Sequence, residues 1–67
     1  MKGLALSSLR VGERYYLVNY GERFEFQLIE IIDAQEFILK DLYTLETYTM
    51  SQLIGLGKGE DLEIRSI

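Results

Sequence analysis

Apolar and polar residues alternate strictly through Phe24-Glu25-Phe26-Gln27-Leu28, the period-two signature of a strand with one buried face. Further on, the alternation dissolves into Ile29-Glu30-Ile31-Ile32, too apolar for a strand with one wet face. We read Arg23 to Ile32 as one long central strand that bends and serves both halves of a small sheet. Ahead of it, Arg14-Tyr15-Tyr16-Leu17-Val18-Asn19-Tyr20 is rich in the aromatic and β-branched residues that suit a pleated surface. Between the two lies Gly21-Glu22, and glycine at the first central position fits a two-residue type II′ turn. Such a turn places Asn19 opposite Phe24, Leu17 opposite Phe26 and Tyr15 opposite Leu28 on an apolar, inward face. Tyr20 with Arg23, Val18 with Glu25 and Tyr16 with Gln27 occupy the outer face, and a one-residue slip would mix the two sets.

The next turn is Asp33-Ala34-Gln35, with Asp33 suited to bonding its own backbone. A loop of this length pairs Ile31 with Phe37 and Ile29 with Leu39, leaving Glu30 and Lys40 on the opposite side. That grouping requires the inward parity to change between Leu28 and Ile29, which a β-bulge supplies at the corner of a small barrel. A third strand runs from Glu36 to about Asp41. Leu39, Leu42, Leu45, Thr49, Leu53 and Leu56 have roughly helical spacing, so a helix across 39–56 is one reading. Three threonines and two tyrosines favour the other: a turn at Leu42–Thr44, then a strand from Leu45 to Met50. Ser51-Gln52-Leu53-Ile54 then forms one helical turn with Ser51 as N-cap and Gly55 as its end. Gly57-Lys58-Gly59 connects to a closing strand over Asp61–Ile67, with Leu62 and Ile64 inward. Residues 1–10 have no clear period and form an N-terminal arm whose Leu4, Leu6 and Leu9 can fold onto the sheet. Residues 11–67 make a single domain.

Sixty-seven residues leave no room for a second domain, and a chain of this size buries only ~60% of its unfolded surface. The chain has neither cysteine nor histidine. Disulfides and thiolate metal sites are therefore excluded, and the commonest general base and metal ligand are both missing. We expect no cofactor, no bound metal and no enzymatic activity. Of the eleven carboxylates, none is set with a nucleophile in a recognisable pattern, and Glu60-Asp61 lacks the ligand spacing of a calcium loop. Gly55-Leu56-Gly57-Lys58-Gly59 lacks the spacing of a phosphate-binding loop and reads as a hinge.

The net charge is −4, which argues against a bulk electrostatic grip on nucleic acid. Residues 1–23 carry four cations and two acids, a balance of +2; residues 24–67 carry three cations and nine acids, a balance of −6. A local basic edge through Arg10, Arg14 and Arg23 is compatible with this split. No apolar run approaches the ~20 residues of a membrane span, and a cytoplasmic location without membrane association is the expectation.

Antiparallel strands, one helical turn and a short last strand form the element order of small SH3-like barrels. Through Val11-Gly12-Glu13-Arg14-Tyr15-Tyr16 and Ser51-Gln52-Leu53-Ile54, the chain resembles that superfold over residues 11–67, in the manner of Tudor, KOW and Sm-like domains. The fold expected is mainly β: a five-stranded antiparallel SH3-like barrel with one short helical turn. Such barrels host many unrelated activities, so the function must come from the site. Tyr15, Phe24, Phe26 and Phe37 belong to the core in the register above. Tyr16 and Tyr20 do not, and with Arg23 they give the outer face a composition enriched at binding sites. The expectation is a non-catalytic protein- or peptide-binding module, with self-association into a homodimer open because no proline blunts a sheet edge. Single-stranded nucleic acid, stacked on Tyr16 and Tyr20, is the alternative partner.

Overall fold

The structure, a computed structural model, describes residues 2–55 and 57–67. Its strands are β1 (Lys2–Gly3), β2 (Arg14–Asn19), β3 (Glu22–Ile31), β4 (Phe37–Asp41), β5 (Thr47–Thr49) and β6 (Glu63–Ser66). Among the described residues one short helix, α1 (Met50–Leu53), and a 3-10 turn at Leu6–Ser8 complete the elements. All six strands join one sheet in the order β1-β6-β2-β3-β4-β5. Strands β2 to β6 pair antiparallel, while β1 adds a two-residue parallel edge against β6. The fold is thus mainly β, as its patterning indicates, but the sheet is open where a closed barrel was expected. Strand β5 is only three residues long before the chain turns into α1, which leaves too little strand to complete a ring.

The first hairpin turns one residue earlier than the pattern suggests. Asn19 pairs with Glu22, so the two-residue turn is Tyr20-Gly21 and not Gly21-Glu22. Both turn residues have positive φ, 50° and 77°, the requirement of a type I′ turn, whose twist matches that of the flanking strands. Leu17 therefore faces Phe24 and Tyr15 faces Phe26, a displacement of two residues from the expected register. Because two is the side-chain period, every residue that stays on a strand keeps its face, and only Tyr20, now in the turn, does not. Tyr15, Leu17, Phe26 and Leu28 are buried and Phe24 packs against them, while Tyr16, Val18, Arg23 and Glu25 lie on the outer side. A tyrosine is tolerated in the left-handed region here because Asp61, forty residues away, holds the turn. Its carboxylate accepts from the Tyr20 amide at 2.8 Å and from the Gly21 amide at 2.6 Å.

The parity break in β3 is a bulge. The β3–β4 register shifts between Leu28 and Glu30, so Ile29 is the extra residue. Ile31 faces Phe37 as the loop length requires, but Leu39 faces Leu28 rather than Ile29, and Lys40 faces Gln27. In consequence Ile29, Ile31 and Ile32 remain exposed, and the inward grouping expected of Ile29 and Ile31 is not made.

Between 42 and 55 the strand reading holds over the helical one; Leu56 of the helical spacing lies outside the described residues. A turn occupies 42–44, β5 follows, and α1 is capped two residues early. Its N-cap is Thr49 and not Ser51. The Thr49 hydroxyl accepts from the Gln52 amide at 3.1 Å, and the Gln52 side chain accepts from the Thr49 amide at 2.9 Å. Thr49-Met50-Ser51-Gln52 is a capping box, which satisfies two donors where Ser51 would satisfy one. Ser51 instead binds Glu36, tying the helix to the start of β4.

The core collects Leu9, Tyr15, Leu17, Phe26, Leu28, Phe37, Leu39, Met50, Leu62 and Ile64 on the inner side of the sheet. Met50 covers it from α1, and Leu4, Leu6 and Leu9 from the N-terminal segment, in which the Leu4 amide donates to Ile64 O at 2.7 Å. Leu62 and Ile64 point inward as their alternation indicates. The Tyr15 hydroxyl accepts from the Arg10 amide at 2.9 Å, so a buried ring keeps its polar end satisfied.

Candidate interaction surface

Register alone sets Tyr16 at the middle of the outer face, beside Glu25 of β3 and Arg65 of β6. Arg23 precedes Glu25 by two residues and shares its side of the strand. The Arg23 guanidinium carbon lies 3.8 Å from the Tyr16 ring centroid, a close cation–π stack. Arg23 Nε and Nη2 both donate to Glu25 Oε2, at 3.1 and 2.7 Å. The second carboxylate oxygen, Glu25 Oε1, accepts the hydroxyl of Tyr43. One glutamate thus joins an arginine stacked on one tyrosine to the phenol of another.

Tyr43 reaches this position from the β4–β5 loop. Asp41 Oδ1 accepts from the amides of Tyr43 and Thr44 at 2.7 and 3.0 Å, and its backbone carbonyl accepts from Leu45 at 3.0 Å. The same loop is held to β3 by the Leu42 amide on Glu25 O at 3.2 Å. It closes with Leu45 at φ 64°, a strained conformation for a leucine, and presents Tyr43 77% and Leu45 62% exposed. The cluster leaves its mark on proton affinities. The Tyr43 hydroxyl, and then Arg23, hold the Glu25 carboxyl below its ordinary value. In return Glu25 raises both the Tyr43 phenol and the Arg23 guanidinium.

Of the three residues singled out by composition, the structure brings Tyr16 and Arg23 together. Tyr20 stands apart in the hairpin turn, because the turn begins one residue earlier than expected. Its ring lies over the 57–59 loop, where a Cβ on Gly59 would meet Tyr20 Cδ1 at 3.1 Å. Sequence reasoning missed Tyr43, whose only local signal was Asp41 two residues before it, the pattern of an Asx turn. The basic edge through Arg10, Arg14 and Arg23 does not gather on one spot. Arg14 pairs with Gln27 and Arg23 with Val18, roughly 13 Å apart along the hairpin. On the same face Arg65 donates to Glu63 at 2.7 Å.

Elsewhere the acids serve the fold. Asp61 fastens the turn, and Glu36 holds Ser51. Among the described residues no group of three or more acidic, histidine or cysteine side chains is placed to hold a metal. The 57–59 loop is clamped by Asn19, which accepts from the Gly59 amide at 2.7 Å and donates to Gly57 O at 3.0 Å. The Gly59 amide is thus taken up by Asn19, and the Gly57 amide donates to Ile54 O at 2.9 Å. No helix among the described residues is long and apolar enough to cross a membrane. No known protein family, curated protein or solved structure matches the chain.

Proposed function

We infer that the protein is a non-catalytic binding module that contacts a protein partner through Tyr16, Arg23 and Tyr43 on the outer face of its sheet. The observation that carries this reading is the Arg23 guanidinium, 3.8 Å over the Tyr16 ring and tied through Glu25 to Tyr43. Tyrosine and arginine dominate interface hot spots, and here their side chains are already ordered, so little freedom is left to lose on association. The strand order β6-β2-β3-β4-β5, with a helical turn before the last strand, is that of SH3-like barrels and supports a binding module built on that topology. The carboxyls of Glu25, Glu36 and Asp61 are all lowered by structural hydrogen bonds, the opposite of what a general acid requires. Pairing of Arg23 and Arg65 with glutamates neutralises two of the cations on the outer face, and the net charge of −4 disfavours phosphate further.

The test is cross-linking capture from the native cell extract with the wild-type chain and with Tyr16→Ser/Tyr43→Ser, each first shown to melt cooperatively. A protein captured by the wild type and lost from the variant supports the reading. Equal capture by a folded variant refutes it, and retention of single-stranded oligonucleotide by the wild type in place of protein would favour the nucleic-acid alternative. Light scattering over a concentration series decides whether the partner is a second copy.

A further inference from the structure

The open seam of the sheet forms a groove of about 770 Å³ between the β2–β3 turn and α1. Its floor is Leu17, Phe24 and Leu53, and Tyr20, Glu22 and Gln52 stand around its rim. The floor residues are the last apolar inward-facing positions of the hairpin and the inner side of α1, which a closed barrel would cover. Phe24 is held from beneath, stacked 6.1 Å from Phe26 and edge-on 5.9 Å from Tyr48, so the floor is rigid. The charges at the rim are not equivalent. Arg23 also borders the groove, but its guanidinium is turned onto Tyr16 and neutralised by Glu25. Glu22 has no cationic partner among the described residues. An apolar trough with one uncompensated carboxylate at its lip, on a chain of net charge −4, selects an amphipathic cation.

We propose that this groove binds a basic side chain, lysine or arginine, of a peptide partner. The apolar stem lies along Phe24 and Leu53, beside the Tyr20 ring, and the cationic head reaches Glu22. This site is on the inner side of the hairpin and does not depend on the Tyr16–Tyr43 surface.

The experiment is an NMR titration of the isotopically labelled full chain with acetyl-Gly-Ala-Lys-Ala-Gly-amide. The same peptide with norleucine or glutamate in place of lysine provides the comparison. The lysine peptide is expected to shift amides of Leu17–Phe24 and Gln52–Gly55 and to bind up to about fivefold tighter than norleucine at low salt, the worth of one exposed ion pair. That preference is expected to vanish in Glu22→Gln and in high salt. Leu53→Ser is expected to weaken lysine and norleucine alike, and Tyr43→Ser is expected to leave the groove unaffected. Equal binding of lysine and norleucine, an unchanged preference in Glu22→Gln, shifts confined to the outer face, or no shifts with any peptide would each overturn the proposal. Because Tyr43→Ser spares the groove, failure here is separable from failure of the outer-face reading.

Discussion

Replacing Gly21 by alanine isolates the conformational cost of the hairpin turn from any cost of contact. A Cβ built at Gly21 meets no atom within 4 Å, yet the backbone sits at φ 77°. An L-residue in that region is destabilised by about 1–2 kcal/mol, from which the stiffer unfolded chain takes back a few tenths. A domain of this length has a total stability of roughly 3–10 kcal/mol. Each kcal/mol is worth about 4–8 °C in a domain this small, so Gly21→Ala is expected to melt roughly 5–15 °C lower. Asparagine enters the left-handed region more readily, so Gly21→Asn is expected to fall between the two. Thermal melts followed by circular dichroism supply the order, and urea titrations with an unchanged m-value confirm that stability itself has moved. A neutral Gly21→Ala would refute the Tyr20-Gly21 turn. An asparagine as costly as alanine would show that the loss does not arise from left-handed backbone.

Three further outcomes follow from the packing and the charges. The amides of Gly21 and then Tyr20 lower the Asp61 carboxyl below its ordinary 3.8, so its contribution is complete above that value and is lost as pH falls through the lower folded value. Asp61→Ala is expected to lower the melting temperature at pH 7 and to flatten its decline below about pH 4; an unaltered acid limb would show that the carboxylate does not hold the turn. In Gly3→Ala the new Cβ would lie 2.2 Å from Ile64 O, so β1 is expected to leave β6 while the rest of the domain folds. Hydrogen exchange at the Leu4 amide reads this directly, and unchanged protection would count against the parallel edge. Met50 is 1% exposed, and Met50→Ala is expected to cost about 2–5 kcal/mol, whereas volume-conserving Met50→Leu should cost under about 1.5. Equal melting of the two variants would mean that α1 does not close the core.

The faces of the hairpin were legible in its sequence while the register was not, and the two have different physical origins. Alternation in Phe24-Glu25-Phe26-Gln27-Leu28 reports burial, and burial is decided residue by residue. Register is decided by the turn, and this turn is decided by Asp61. A reader of Tyr20-Gly21-Glu22 sees a glycine and assigns it the position that glycine prefers, since tyrosine is a poor choice for positive φ. The carboxylate that makes tyrosine acceptable there comes from forty residues downstream, beyond any local pattern. The error was harmless to the core only because it was even. The bulge at Ile29 shows the complementary case, in which an odd change of register was visible because it broke the alternation. The N-cap of α1 could have been read locally, since Thr49-Met50-Ser51-Gln52 is a complete capping box and Ser51 has no glutamate or glutamine three residues on.

The same distinction governs the candidate surfaces. Tyr16 and Arg23 sit on strands, so parity alone put them on one face, and a two-residue displacement changed which partner each had without changing its side. Tyr20 and Tyr43 sit in turns, where parity has no meaning and a one-residue change redirects the side chain altogether. Tyr20 consequently left the outer face for the rim of the groove, and Tyr43 joined the outer face without having been expected there. What brought Tyr43 in is again a carboxylate, Asp41, which folds the loop back so that the phenol meets Glu25. Both departures from the sequence reading therefore trace to acids that bind backbone amides. In a chain with eleven carboxylates and no histidine, several acids that read as solvated surface charge act as the fasteners of its turns.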